Sequence, residues 1–304
     1  MNRSVLIVAL LSAASSFAQS KSPCFAFLLR ADVTIVCHGK TSQITHRRDI
    51  EDFAVSDELS SLAYVTSVVT PLDKDRNEVH SKTSVINLGT GDTKQVAGIE
   101  GIVSTCGGIL PNQIGPGTST RDVVTDEEVQ FPPFVRFRCS SDRRVVAGIT
   151  SEGSRDQMSD LYVGHPPAVK IAAAADVYVH FFNISPDGSK IAWFNDTRPL
   201  CVYSGPGSSR CVEHATIADP VSVNDSGEAL VATGNGRGCV YKSPTNFRPA
   251  RLGAGDDECL GIGYWKPGMK SIVFLEAIGR TPQWIKPETA ELLRRWSARK
   301  NTGR

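Results

Sequence analysis

Phe182-Asn183-Ile184-Ser185-Pro186-Asp187-Gly188-Ser189-Lys190-Ile191-Ala192-Trp193 decides how this chain is read. Ser185 can bond backbone through its hydroxyl, Pro186 fixes φ, and Gly188 tolerates the positive φ that often follows a type I turn. The residues on either side alternate or run apolar, as strands do. The stretch is therefore a strand, a tight turn and a second strand. A lone hairpin of that length is marginal in water, so it requires partners.

The partners are further copies of itself. Residues 55–64, 139–147 and 223–232 align with it without gaps, and 265–274 is a worn copy. The turns start at residues 56, 140, 185, 224 and 266, a recurrence of about 40 residues with one double-length gap. A degenerate copy is expected inside that gap, near residue 98, where Gly98-Ile99-Glu100-Gly101-Ile102-Val103 is apolar enough for a strand. Each unit also carries an outer hairpin, at 35–45, 85–96, 161–171, 201–212 and 239–252, with a weaker one at 123–130. Residues 285–291 fall in register on 86–92, which makes 285–296 a final outer hairpin. The competing reading there is a helix, from Pro287 at a first-turn position through the apolar cluster Leu292, Leu293 and Trp296.

Four short strands in each period of about 40 residues describe a blade of a β-propeller. At these residues the chain resembles the TolB-like, WD-repeat-like class of propeller repeats. Those blades carry a Ser-Pro-Asp-Gly turn, a basic or polar residue and an Ile-Ala-aromatic strand, the pattern of residues 185–193. The other copies match in part: Glu58 and Leu59 replace Asp and Gly, Arg143 replaces Gly, and Gly268 replaces Asp. The resemblance runs over residues 24–296 and implies a fold only. The expectation is an all-β chain forming one β-propeller of six or seven four-stranded blades. Seven is the preferred count, from outer hairpins near residues 39, 90, 126, 166, 206, 245 and 289, with the first blade lacking its inner strand or closed by the termini.

Composition fits this reading: 304 residues, 40% hydrophobic and 21% charged, make ordinary globular material. A formal net charge of +1 gives no electrostatic footprint for nucleic acid. Arg3, the apolar run 5–14 and the small-residue site Ser16-Phe17-Ala18 describe a secretory signal removed after Ala18. The expected division is thus residues 1–18 as signal peptide and 19–304 as propeller, in the periplasm or outside the cell. No cysteine follows the cleavage site directly, which argues against a lipid anchor, and no later apolar span is long enough for a membrane helix.

Export makes the eight cysteines disulfide candidates. Cys201 and Cys211 are equally spaced about Pro206 and should face each other across a hairpin. Cys24 and Cys37 are placed similarly about Arg30-Ala31. Cys201 and Cys239 occupy equivalent positions one repeat apart, too far for a bridge. Elimination then leaves Cys106 with Cys139 and Cys239 with Cys259, a pairing that other connectivities still rival. No CxxC occurs.

Catalytic signals are sparse. Asp73, Asp75 and Asn77 hold the first positions of a calcium loop, but Glu78 stands where the glycine belongs and Ser84 where the closing glutamate belongs, so a charged loop is the better reading. Asp256-Asp257-Glu258 reads as a solvated loop. Of the six histidines, His38, His46, His80, His165, His180 and His214, only His180 precedes an inner strand, which makes it a weak candidate for acid–base chemistry at the channel. There is no GxSxG elbow or phosphate loop, and the repeats leave no room for a hydrolase domain of the kind that propeller-bearing peptidases carry. The sequons at Asn183, Asn195 and Asn224 are explained by the recurring turn chemistry. No cofactor or metal is expected. The function read from sequence is an exported, non-catalytic module binding an envelope or extracellular protein or glycan; a carbohydrate-active lyase or hydrolase using His180 and nearby carboxylates is the alternative. Non-reducing digestion and mass spectrometry of the exported protein should show cross-linked peptides, whereas eight free thiols would contradict this reading of the cysteines.

Overall fold

The structure is a computed structural model that describes residues 24–38, 40–71, 77–112, 117–131, 134–149, 160–164, 168–172, 182–194, 200–212, 222–232, 238–241, 262–265, 272–275 and 283–302. The first strands, β1 (Cys24–Leu29), β2 (Asp32–Cys37) and β3 (Lys40–Gln43), form an antiparallel meander. β4 (Ile50–Ser56), β5 (Ser61–Pro71), β6 (Asn77–Asn87) and β7 (Thr93–Ala97) make a complete four-stranded sheet. Two pairs follow, β8 (Ile102–Thr105) with β9 (Gly108–Pro111) and β10 (Ser119–Arg121) with β11 (Glu128–Gln130). β12 (Arg136–Cys139), β13 (Val146–Ile149), β14 (Leu161–Val163) and β15 (Val169–Ala172) form the next four-stranded sheet. β16 (Phe182–Ile184), β17 (Ile191–Phe194), β18 (Leu200–Tyr203) and β19 (Ser209–Val212) form another. Then come β20 (Ser222–Val223), β21 (Ala229–Ala232) and β22 (Gly238–Tyr241), and the pair β23 (Ile262–Trp265) and β24 (Ile272–Leu275). The chain ends with β25 (Gln283–Ile285) and helix α1 (Pro287–Thr302).

β25 does not start a sheet of its own. It pairs antiparallel with β1, Cys24 opposite Ile285 and Ala26 opposite Gln283, giving the order β25-β1-β2-β3. The C-terminus thereby supplies the inner strand that the first meander lacks. Repeated four-stranded antiparallel meanders, joined end to end and closed by the termini, are the construction of a β-propeller.

The turn that decided the sequence reading shows why the repeat survives substitution. Ser185 accepts from Lys190 N through its hydroxyl and donates from it to Asp187, at 3.0 and 2.7 Å, and Gly188 N donates to Ser185 O at 2.9 Å. Ser140 repeats these bonds with Val145, Asp142 and Arg143 at 3.0, 2.7 and 2.9 Å. Arg143, where glycine is preferred, takes φ 63°. Gly188 has a further reason to lack a side chain, since a Cβ there would lie 2.7 Å from Cβ of Val145 in the preceding sheet. The expected copy near residue 98 is displaced: the strand begins at Ile102, and the turn is the two-residue Cys106-Gly107, both at positive φ. Such a hairpin turn needs no Ser, Pro or Asp, which is why the repeat pattern does not locate it.

Segment 285–296 is not a hairpin. Beyond β25 the chain is helical, with Glu288 in the first turn, Arg299 and Lys300 in the last, and Ala290 N bonded to Lys286 O at 3.0 Å. Local propensity and an apolar stripe of Ala290, Leu293 and Trp296 prevail over the repeat register, because the stripe enters the core shared by the first two sheets, beside Leu28, Ile44, Ile86 and Leu88. The hairpin count that favoured seven blades thus loses its last member. Leu293→Ala is expected to lower unfolding free energy by about 3 kcal/mol. Arg295→Ala, on the exposed face with its Glu291 contact, should change it by less than about 0.5 kcal/mol. Denaturant titration of the two variants checks this.

Candidate functional site

Among the described residues six strands, β25, β4, β8, β12, β16 and β20, lie in succession, joined mostly through their turns. Lys286 N, just past β25, donates to Asp57 Oδ1 at 3.0 Å, and Gln283 exchanges two bonds with the backbone of Val55. Ser56 Oγ donates to Gly107 O at 2.8 Å, joining the turns after β4 and β8. Cys106 is disulfide-bonded to Cys139, and Cys139 N donates to Thr105 Oγ1 at 3.0 Å, joining β8 to β12. Ser141 N donates to Pro186 O at 2.7 Å, and Asp187 N to Asp225 Oδ1 at 3.0 Å. β20 lies against β25, where the charge of Lys286 reaches Asp225. Pair β23–β24 lies beside β22, outside this succession.

One mouth of the assembly is therefore rimmed by Asp57, Glu58, Asp142, Asp187 and Asp225 with Lys286. These carboxylates are chiefly fastenings. Burial raises the pKa of Asp57, opposed by bonds from Thr289 and Lys286 N. Burial also raises Asp225, and the facing carboxyl of Asp187 adds to the effect. In Asp187 burial is outweighed by bonds from Ser185 and Ser189, which hold its pKa below the ordinary value. Asp187 is thus held in its turn as a carboxylate by these bonds. Farther in, Asp32 accepts from Thr45 Oγ1 and Arg47 N at 2.8 and 2.6 Å, Asp52 from Ile102 N at 3.2 Å, and Asp122 from Ile109 N and Val124 N at 3.0 and 2.7 Å. All three are buried and fix crossovers between strands.

Arg136 and Arg138 on inner strand β12 are different. Their ladder partners are Ile149 and Ala147, which pack with Phe182 and Ile184 of the next sheet, while Phe137 and Cys139 enter the opposite cluster with Cys106 and Leu110. Alternation puts both arginines on the face toward β16, at its axial edge. Arg138 Nη1 donates to Phe137 O at 2.8 Å. Burial, with the like charge of Arg136, lowers the Arg138 pKa to about 10.

The second distinctive feature is an arm. β4 accompanies β5 only to Thr66 and β7 accompanies β6 only from Lys82, yet β5 and β6 stay paired out to Pro71 opposite Asn77. Val69 faces Val79 across this ribbon, and Val68 faces His80. Val68, Val69 and Val79 are 44, 56 and 60% exposed, and among the described residues the other exposed large apolar side chain is Val169 at 61%. His80 Nε2 lies 3.1 Å from a carboxylate oxygen of Glu78.

Other residues singled out by sequence are scattered. Cys201 faces Cys211 in ladder register and bonds to it with Cα atoms 4.0 Å apart, and Cys24 bonds to Cys37 at 4.2 Å. His38 lies beside that disulfide in a positive-φ turn, and the bonded sulfurs make this trio no metal site. His46 is exposed. Cys259, His165, His180, His214, Asn195, Asp73, Asp75 and Asp256-Asp257-Glu258 lie outside the described residues, and Cys239 is described as backbone of β22. Alternating basic residues on a short strand resemble a solvated face in sequence, so nothing in the sequence pattern distinguishes Arg136 and Arg138. No helix among the described residues is long and apolar enough to cross a membrane.

No protein-family model matches the chain, and no curated protein matches it by sequence. Among solved structures it is similar to an acylaminoacyl peptidase from Pyrococcus horikoshii, at 12% identity and TM-score 0.49 over 75% of this chain. It spans 43% of that enzyme's length. The β-propeller domain of the trilobed protease from Pyrococcus furiosus, which has an open velcro topology, aligns at 15% identity and TM-score 0.44 over 73% of this chain and 74% of its own. An oligogalacturonate lyase from Vibrio parahaemolyticus aligns at 12% and 0.43 over 74% and 76%. No residue role is carried over from any of them.

The rim pair gives a pH test. The raised Asp225 pKa means that ionising it in the folded state costs stability, so its contribution is full below the unfolded carboxylate pKa and is lost as pH rises through the folded value. Asp225→Asn removes that loss while keeping an oxygen for Asp187 N. It should raise the unfolding midpoint at pH 7 and leave it unchanged at pH 3; thermal unfolding at both values is the check.

Proposed function

We propose that this chain is an exported β-propeller of the TolB-like kind that works by binding a partner protein, with the β5–β6 arm as its contact element. The observation that carries the proposal is the arm itself. Its ladder runs past both neighbouring strands, so among the described residues no strand lies beside either edge's backbone donors and acceptors, and its faces carry three of the four exposed valines described. Open edges with apolar side chains on the faces suit an extended partner strand, which gains main-chain bonds from the edge and side-chain contacts from the valines. Soluble proteins usually blunt such edges, so a long one is best explained by an occupant.

Three disulfides favour an oxidising compartment, and the sequence of residues 1–18 supplies the route there. The closed succession of six inner strands supports a six-bladed count. The mature N-terminus is then Gln19, which terminal sequencing of the exported protein would read directly.

The test of binding is a photo-cross-linker placed at Val79 in the producing cells, with Val169 as an equally exposed control outside the arm. One reproducible adduct from position 79, lost with the companion change Val69→Asp and absent from position 169, supports the arm. No adduct at 79, or the same adduct from both positions, contradicts it. Replacing residues 67–81 by Asn-Gly should leave the unfolding free energy within about 1 kcal/mol of the parent, because the ladder removed lies beyond the sheet.

A further inference from the structure

We propose that Arg138 is the anchor of an anion site at the axial edge of the β12–β16 seam, which takes a carboxylate or phosphate group of a small ligand. The side chain stands on an inner strand, on the face turned to the next sheet, with Arg136 two residues away on the same face. A guanidinium offers five N–H donors in a planar fork, and at Arg138 one of them is bonded, to the carbonyl of Phe137 at 2.8 Å. Among the described residues the charge that reaches it is the like charge of Arg136, with no carboxylate opposite.

Elsewhere the protein handles interior charge in another way. Asp32, Asp52 and Asp122 are buried and each accepts bonds from backbone N–H groups. Arg143 and Arg294 also donate to backbone carbonyls, but Arg138 is a half-buried arginine with a like charge, Arg136, beside it on the same face, an arrangement unlike that of the buried acids. It costs stability, and an oxyanion engaging the N–H groups that have no partner among the described residues recovers the cost. Guanidinium geometry matches both carboxylate and phosphate in a two-pronged manner, so the site does not choose between them by shape. The arm lies at the far end of the β5–β6 hairpin and takes no part in this site, so the two proposals stand or fall separately.

The experiment uses the full mature chain, with inorganic phosphate and citrate as probes at constant ionic strength. Calorimetric titration should give saturable binding of at least one probe; preference for phosphate or for citrate identifies the group the natural ligand carries. Arg138→Met should unfold at the same or a higher temperature without probe, since a poorly paired charge is removed, and should lose the binding. Arg138→Lys keeps the charge but not the fork and should bind roughly tenfold more weakly. Saturable binding to neither probe, or equal affinity in the parent and Arg138→Lys, overturns the proposal. If Arg138→Met fails to fold, the lysine variant decides alone.

Discussion

Closure of the ring is the constraint on which the rest depends. A three-residue strand at one end of the chain, Gln283–Ile285, must find the edge of β1 near the other end. The joint is reinforced at several levels: ladder pairing, the exchange of bonds between Gln283 and Val55, and the bond from Lys286 N to Asp57. Helix α1 then covers it, with Leu293 and Trp296 in the core of the first two sheets and Arg294 bonded to the carbonyl of Cys37. The inner edges of the sheets are bonded to those of their neighbours, so each joint depends on the sheets on both sides of it. Joining segments so far apart in sequence carries a loop-closure entropy cost that these contacts must offset.

The division between shared and unshared features follows. Ser185 and Ser140 build the same turn with different residues around them, because a hydroxyl and a following Asp supply the bonds that define it. The rim carboxylates recur for that reason and serve the architecture. Among the described residues the arm and Arg138 have no counterpart in the other sheets, and neither improves the fold: one extends a ladder beyond its sheet, and the other places a charge where burial penalises it. Features that cost stability without architectural return are where function is expected.

Much of the fold was legible because its repeat is written in turn chemistry. Turns starting at residues 56, 140, 185 and 224 lie between paired strands as their Ser, Asn and Asp residues imply. The second unit's long strands were harder, since alternation continues through residues 61–71 and 77–87 without a break to show where the sheet stops and the arm starts. The turn at Cys106-Gly107 carries no repeat signature, and β25 is too short to be recognised apart from its pairing. Repeat register points to a hairpin at 285–296, whereas from Pro287 an apolar stripe at helical spacing packs into the core as a helix. Arg138 could not be singled out from sequence, because its meaning depends on which sheet face it occupies.

Native-state hydrogen exchange tests closure most directly. If β25 is the joint that holds the ring, amides of β1 and β25 exchange only through global unfolding, with the same opening free energy as those of β4 and β16. Opening of β25 and α1 at much lower free energy, while the other inner strands stay protected, would show a terminal strand docked on an already stable assembly and would contradict the account.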